Sequence, residues 1–260
     1  MNWTGLAAQA WDPSGGDDPQ WDHDYIKRLI GQNPGPALDV GCGTGRLLLR
    51  YLKAGLDVDG IDTSADMLAI CREKGERQGL KSRLYQQAMQ RLDLPRKYKT
   101  IYIPCGTFCL IIDRDEALEA LRRMYAHLEP NGILVFNLFW VFSRGEPLSD
   151  KPLGGDGEWG DLWSYTQPDG SIIAQHLKRE KIDCVEQLLL AQRRYQLIRD
   201  GRVIEEEIFA SNERWYFKHE MVLLLEKAGF RDIQVKDGWS DDDFSDGHQH
   251  VSMVFIARKP

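Results

Sequence analysis

The sequence has little cysteine, no long hydrophobic run and no surplus of basic charge. Its five cysteines, at 42, 71, 105, 109 and 184, are an odd number and none forms a CxxC pair. In a chain of 260 residues, large enough to bury a core without covalent staples, that argues against a disulfide framework and for reduced thiols in the cytoplasm. No stretch approaches the roughly 18 apolar residues of a membrane span, and the opening residues lack the basic and then apolar order of a secretory leader. With 33 Lys and Arg against 40 Asp and Glu, the formal charge of -7 offers no general attraction for a phosphate backbone, so nucleic acid is not the expected partner. There is no internal repeat.

What the chain does contain is a core-forming share of apolar residues, 42%, with 24 glycines and 11 prolines. That balance fits one large globular domain, or a common-sized domain carrying an insertion. Residues 1 to 24 are rich in Trp, Asp, Gly and Pro and read as an arm or short helix. A helical pattern from about residue 23 to residue 30 stops at Asn33-Pro34-Gly35-Pro36. Ala37 to Val40 reads as a buried strand, Leu47 to Leu52 as a helix and Leu56 to Ile61 as a second strand. A helix with Met67, Leu68 and Cys71 on its packed face follows. Strands at 84 to 87, 100 to 104 and 133 to 138, with a helix over 113 to 128, complete a βα alternation. Pro130-Asn131-Gly132 is expected to turn the chain into the fifth strand. The pattern then changes to strands at 162 to 166, 171 to 181, 185 to 199 and 202 to 210, punctuated by Pro168-Asp169-Gly170 and Asp200-Gly201. A helix over 213 to 228, capped by Gly229, and strands at 230 to 236 and 251 to 257 end the chain. The expected organisation is a sheet domain of residues 1–142 and 213–260 and an inserted antiparallel β region of residues 143–212, a lid, substrate or dimer surface.

Between the first strand and its helix stand Gly41, Gly43 and Gly45. Without side chains there, a ligand can reach the backbone and the unpaired N–H groups of the helix start. Asp62 ends the second strand 17 residues after Gly45, where a carboxylate can accept both hydroxyls of a ribose. Together they point to a nucleoside-containing cofactor above the carboxyl edge of the sheet. Two such cofactors are disfavoured by residues that are absent. Position 46, where a dinucleotide turn places its third glycine, is Arg, and no Gly-Lys-Ser or Gly-Lys-Thr follows the turn to seek a triphosphate.

Leu38-Asp39-Val40-Gly41-Cys42-Gly43-Thr44-Gly45 closely resembles the first motif of class I S-adenosylmethionine-dependent methyltransferases. The similarity continues through Asp62-Thr63-Ser64-Ala65-Asp66-Met67-Leu68, Leu128-Glu129-Pro130-Asn131-Gly132-Ile133-Leu134-Val135 and Leu225-Glu226-Lys227-Ala228-Gly229-Phe230. The resemblance implies an α/β, Rossmann-like fold, a seven-stranded mostly parallel sheet with an antiparallel final strand, and S-adenosylmethionine as cofactor. Carried over by position, it puts Asp39 near the methionine ammonium and Gly41, Gly43, Thr44 and Gly45 along the methionine and ribose. Asp62 would hold the ribose hydroxyls, with Thr63 and Met67 beside the adenine. Gln87, Ala88 and Met89 occupy the stretch that meets the adenine in relatives. Ala88 stands where the family often has Asp, so backbone atoms, Gln87 or Gln90 are expected to take that contact. Cys105 follows the fourth strand near the reacting methyl, as a small packing residue rather than a nucleophile, because transfer from a sulfonium needs only an aligned acceptor lone pair.

On the substrate side the expected contacts are Phe108, Trp140, Phe142 and Trp163, aromatic residues that chain direction places near the ligand edge. His248 and His250, at i,i+2 before the last strand, are candidates for general base; the same spacing suits a metal, but no metal is expected. The expected reaction is methyl transfer to nitrogen or oxygen of a small molecule. RNA, DNA or protein methylation and a noncatalytic S-adenosylmethionine sensor are the alternatives, and a homodimer is compatible with the inserted strands.

Overall fold

A computed structural model of the chain describes residues 3–12, 21–139, 157–245 and 252–260. The helices in chain order are α1 (Gly5–Trp11), α2 (Trp21–Gln32), α3 (Leu48–Lys53), α4 (Ala65–Arg77), α5 (Arg114–His127) and α6 (Lys218–Ala228). The strands are β1 (Ala37–Val40), β2 (Val58–Asp62), β3 (Arg83–Gln86), β4 (Tyr98–Ile103), β5 (Leu128–Phe139), β6 (Gly160–Thr166), β7 (Ile172–Asp183), β8 (Leu188–Arg199), β9 (Arg202–Ala210), β10 (Glu213–Arg214), β11 (Arg231–Asp237) and β12 (Ser252–Arg258). They fall into two compact units, Pro19–Trp140 with Tyr216–Pro260, and Met1–Asp18 with Val141–Trp215.

The larger unit is built on a seven-stranded sheet in the order β11-β12-β5-β4-β1-β2-β3. The β1–β2, β2–β3, β1–β4 and β4–β5 pairs are parallel, while β12 runs antiparallel to both β5 and β11. The expected sheet and its antiparallel final strand are therefore present. Side chains alternate across the strands, so each face receives its own helical layer. Leu38 and Val40 of β1 and Ile101 and Ile103 of β4 pack with Leu121, Met124, Met221 and Leu225 of α5 and α6. Ala37 and Tyr102 face the other way, with Ile26, Leu29, Leu48, Tyr51 and Leu68 of α2, α3 and α4. Ser64 caps α4 by accepting from the Met67 N–H at 3.1 Å, and Asp113 caps α5 by accepting from Glu116 N–H at 2.9 Å. Each cap contributes about 1 kcal/mol.

Two local expectations are corrected. Pro130-Asn131-Gly132 does not precede the fifth strand; β5 starts at Leu128 and absorbs these residues as an irregularity, with Asn131 left-handed at φ 61. The last long helix begins at Lys218 instead of 213. Glu213 and Arg214 pair with β8 as β10, and Arg214 donates to the Glu186 carbonyl at 2.7 Å. Glu220 reaches back to the Phe217 N–H, which sets the helix start there.

The smaller unit is an antiparallel sheet of β6 to β10, as the alternating segments and the two turns imply. Leu6, Ala7 and Ala10 of α1 pack on Ile173 and Tyr195, so the first helix belongs with these strands. Glu207 of β9 accepts from the Leu6 N–H at 3.1 Å, placing a carboxylate on an orphan amide of the helix start. Among the described residues no helix is long and apolar enough to cross a membrane.

Candidate cofactor site

The site begins where β1 runs out. Gly41 and Cys42 donate to the Ile61 carbonyl at 2.8 and 2.9 Å, which holds the turn against the end of β2. Gly41 and Gly45 have φ of 74 and 89, in the region that favours glycine. Both also lack room for a side chain. A Cβ on Gly41 would stand 2.6 Å from Thr107 Cγ2, and one on Gly45 2.6 Å from Cys71 Sγ. The turn therefore follows from close approach of the β4 end on one side and α4 on the other.

Asp62 closes β2 beside this turn. One carboxylate oxygen accepts from Gly43 N–H and the other from Ser64 N–H, each at 2.9 Å. A carboxylate offers about four acceptor positions, so these amides leave acceptor capacity for a ligand hydroxyl. Burial pushes the Asp62 carboxyl up, and the amides that it accepts pull against that shift. Thr63 next to it is exposed, whereas Met67 is buried in the first turn of α4. Beyond β3 the side chains are already occupied. Both ends of the Gln87 amide bind the Asp93 backbone, at 2.9 and 3.0 Å, and Gln90 donates to Glu116. Ala88 itself leads into a 3-10 turn over Met89–Arg91 with Met89 buried.

Asp39, on the α2 side of β1, is 1% exposed, and its Oδ1 has no hydrogen-bond partner among the described residues. Tyr102 lies close enough to lower the carboxyl's pKa, yet its hydroxyl is also outside hydrogen-bonding geometry. Burial dominates and pushes Asp39 up to about 7, against the opposing charge of Arg46. A buried carboxyl with an open oxygen beside an unobstructed turn suits a cationic ligand group.

Arg46 and Asp22 are site-wall residues that the sequence motifs did not single out. The guanidinium grips Asp22 of α2 through two bonds, 3.0 and 2.5 Å, and reaches Cys105 Sγ at 3.1 Å. Nothing local links positions 22 and 46; the only signal was an arginine where a dinucleotide turn would place glycine. Cys105 and Gly106 are consecutive left-handed residues, φ 58 and 66. Buried Asn137 of β5 holds that turn, accepting from Gly106 N–H at 3.0 Å. The structure thus brings together Asp39, Gly41, Gly43, Thr44, Gly45, Asp62 and Cys105 around one edge.

The expected substrate contacts fare differently. Phe108 is fully buried, with its ring 5.3 Å from Phe136 and 5.9 Å from Tyr216. Trp163, on β6, packs edge-on against Tyr195 at 6.5 Å within the smaller unit. Trp140, Phe142, His248 and His250 lie outside the described residues. Among the described residues no group of three His, Cys, Asp or Glu could hold a metal ion.

Comparison with known proteins agrees with this geometry. A family model described as a methyltransferase domain matches residues 37–132, the segment that carries the glycine turn and Asp62. A dTDP-3-amino-3,6-dideoxy-alpha-D-glucopyranose N,N-dimethyltransferase of Streptomyces fradiae is 32% identical over 103 residues, 40% of this chain and 39% of that protein. A glycine/sarcosine N-methyltransferase of Halorhodospira halochloris is 30% identical over 115 residues, 44% of this chain and 43% of that one. The chain spans about half the length of the curated relatives it matches. A crystal structure of an S-adenosylmethionine-dependent methyltransferase from Clostridium acetobutylicum ATCC 824 superposes with a TM-score of 0.73 at 20% identity, covering 97% of each chain. The sugar N-methyltransferase KedS8 from Streptoalloteichus sp. ATCC 53650 gives 0.73 at 20% identity, over 96% of this chain and 92% of that one. At that identity these two likenesses establish the fold.

Proposed function

We propose that this methyltransferase domain binds S-adenosylmethionine over the carboxyl ends of β1 and β2 and transfers its methyl group to nitrogen or oxygen of a small molecule, releasing S-adenosylhomocysteine. The observation that carries the reading is the buried Asp39 carboxyl, with one oxygen unpartnered, next to a glycine turn whose neighbours leave no space for side chains. The bound cofactor supplies an electrophilic methyl group on a sulfonium. Asp39 pairs with its ammonium, the glycine turn admits its amino-acid part and ribose, and Asp62 accepts from the ribose hydroxyls with the lone pairs that Gly43 and Ser64 leave open. Arg46 keeps Asp22 and Cys105 in place at the wall, and Asn137 fixes the turn after β4. The protein's chemical task is then to align an acceptor lone pair behind the methyl and keep water away.

The activities by which two relatives are named, on glycine or sarcosine and on an amino sugar, support a small amine as acceptor. The chain's charge of -7 supports a small molecule over nucleic acid. Five cysteines that form no disulfide support the cytoplasm as the place of action. The test is release of S-adenosylhomocysteine in the presence of pooled small amines and alcohols, with mass spectrometry for a product heavier by one methyl. Release that depends on one acceptor supports the reading. Tight cofactor binding with no release from any pool member favours a sensor or a macromolecular substrate.

A further inference from the structure

In the larger unit β4 lies between β1 and β5, and its Tyr102 stands in register with Asp39 on one side and Val135 on the other. Partners in register present their side chains to the same face of a sheet. The phenol and the carboxyl therefore share the layer that α2, α3 and α4 cover. Both side chains are enclosed, Tyr102 at 0% and Asp39 at 1% exposure. Each ends in an oxygen without a hydrogen-bond partner among the described residues, the Tyr102 hydroxyl and Asp39 Oδ1.

The ring is wedged in place. Tyr51 meets it edge-on, with centroids 5.8 Å apart, and is itself pinned by donating its hydroxyl to the His23 carbonyl at 2.9 Å. Val135 has no side-chain acceptor, so the polar side chain in register beside Tyr102 is Asp39. Burial, then the Asp39 charge, pushes the Tyr102 phenol far up, so it keeps its proton and serves as a donor. A buried hydroxyl without a partner is destabilising. An ionised carboxylate is the strong acceptor that it lacks, and an O–H donor in turn favours the charged carboxyl. Of the other groups that face Asp39, Arg46 favours its ionised form, and Asp22 and Asp62 oppose it. Tyr51, Cys42 and Cys105 are pushed up by burial and stay neutral beside it.

We propose that Tyr102 is a positioning residue for the cofactor: its hydroxyl donates to Asp39 once the carboxyl ionises, and so readies the carboxylate for the ammonium before the ligand arrives. The inference rests on the methyl-transfer reading, in which Asp39 pairs with that ammonium. Tyr102 touches no ligand itself. It acts through the fraction of Asp39 that is ionised in the free protein, with the proton released to solvent. Its effect is therefore large where Asp39 is mostly protonated and vanishes where Asp39 is fully ionised.

The test is calorimetric titration of S-adenosylhomocysteine, which carries the same ammonium, into the full chain and into Tyr102→Phe, from about pH 5.5 to about pH 8.5. Tyr102→Phe removes one oxygen and no hydrogen bond to a described residue, and the melting temperature is its folding control. The midpoint of the affinity profile is expected to move up by about one pH unit. That shift is a loss of about tenfold near pH 6, falling to less than about twofold near pH 8.5. In an Asp39→Asn background, Tyr102→Phe should leave affinity unchanged at every pH, because the acceptor no longer ionises. Identical profiles for the full chain and Tyr102→Phe, or a loss of the same size at every pH, overturn the proposal. Failure of S-adenosylhomocysteine to bind the unaltered chain, or a flat profile there, would instead overturn the pairing of Asp39 with the ammonium, so the two failures are distinct.

Discussion

The backbone N–H of Gly43 donates to the carboxylate of Asp62 across 2.9 Å, joining the turn after β1 to the end of β2. The second oxygen holds Ser64 N–H, at the N-cap of α4. One side chain therefore shapes the turn and, in the proposed reading, also meets the ribose.

Asp62→Ala is accordingly expected to lose in two ways. Cofactor affinity should fall by tenfold or more, about 1.4 kcal/mol or above. Stability should fall by about 1–3 kcal/mol, because two amides lose their acceptor. Calorimetry measures the first and urea unfolding the second. Asp62→Asn, which keeps one acceptor oxygen, should lie between the two.

Asp39 predicts a pH dependence with a definite sign. Its folded pKa of about 7 lies above its unfolded value. This group's contribution to stability is full below the unfolded pKa of about 4 and is lost as pH rises through about 7. Binding of a cation opposes that trend, since it requires the ionised carboxyl. Affinity for S-adenosylmethionine should therefore increase as pH rises toward about 7 and level above it, with proton release on binding at acid pH. Titrations in buffers of different ionisation enthalpy measure that release. Asp39→Asn should bind weakly and without the pH dependence; a flat profile in the unaltered chain would contradict the placement.

The Asp22–Arg46 pair is almost enclosed, with side chains 9% and 13% exposed. Arg46→Ala leaves Asp22 buried without its counterion and should cost about 3 kcal/mol. Replacing both residues by apolar side chains should recover much of that loss. A double-mutant cycle in denaturant measures the coupling, and additive effects would show that the pair is not a clamp.

Asn137→Ala should leave the Gly106 N–H buried and unpaired, at about 1–3 kcal/mol. Cys105 reports on the same turn. It is exposed, while Cys42, Cys71 and Cys109 are buried and Cys184 is intermediate. In a Cys184→Ser background, the rate of thiol labelling should rise in Asn137→Ala as the left-handed turn loosens. Equal labelling rates would place the constraint elsewhere.

The parts of this site that are local in sequence were legible before any coordinates. Glycines at fixed spacing after an apolar run, and an acid at the end of the next run, define the turn and Asp62, because strand, turn and helix are consecutive. The wall was not legible. Arg46 meets Asp22 and Cys105, and Asn137 meets Gly106, across 24, 59 and 31 positions, distances over which only the sheet order decides. The burial of Phe108 was not legible either. Chain direction places it after β4, but its ring turns down between Phe136 and Tyr216. The start of α6 is ambiguous in the sequence because Glu213 and Arg214 fit a helical pattern as well as a strand, and pairing with β8 decides for the strand.

The most direct measurement is a single-turnover transfer. The protein is loaded with S-adenosylmethionine labelled in its methyl group and mixed with a pool of amines, including nucleotide-linked amino sugars, and the label is followed by mass spectrometry after quenching. The account predicts that the label leaves the cofactor for nitrogen or oxygen of a small molecule, and that Asp39→Asn and Asp62→Ala slow the transfer. Label that stays on bound cofactor through every pool, with the protein folded, would contradict it.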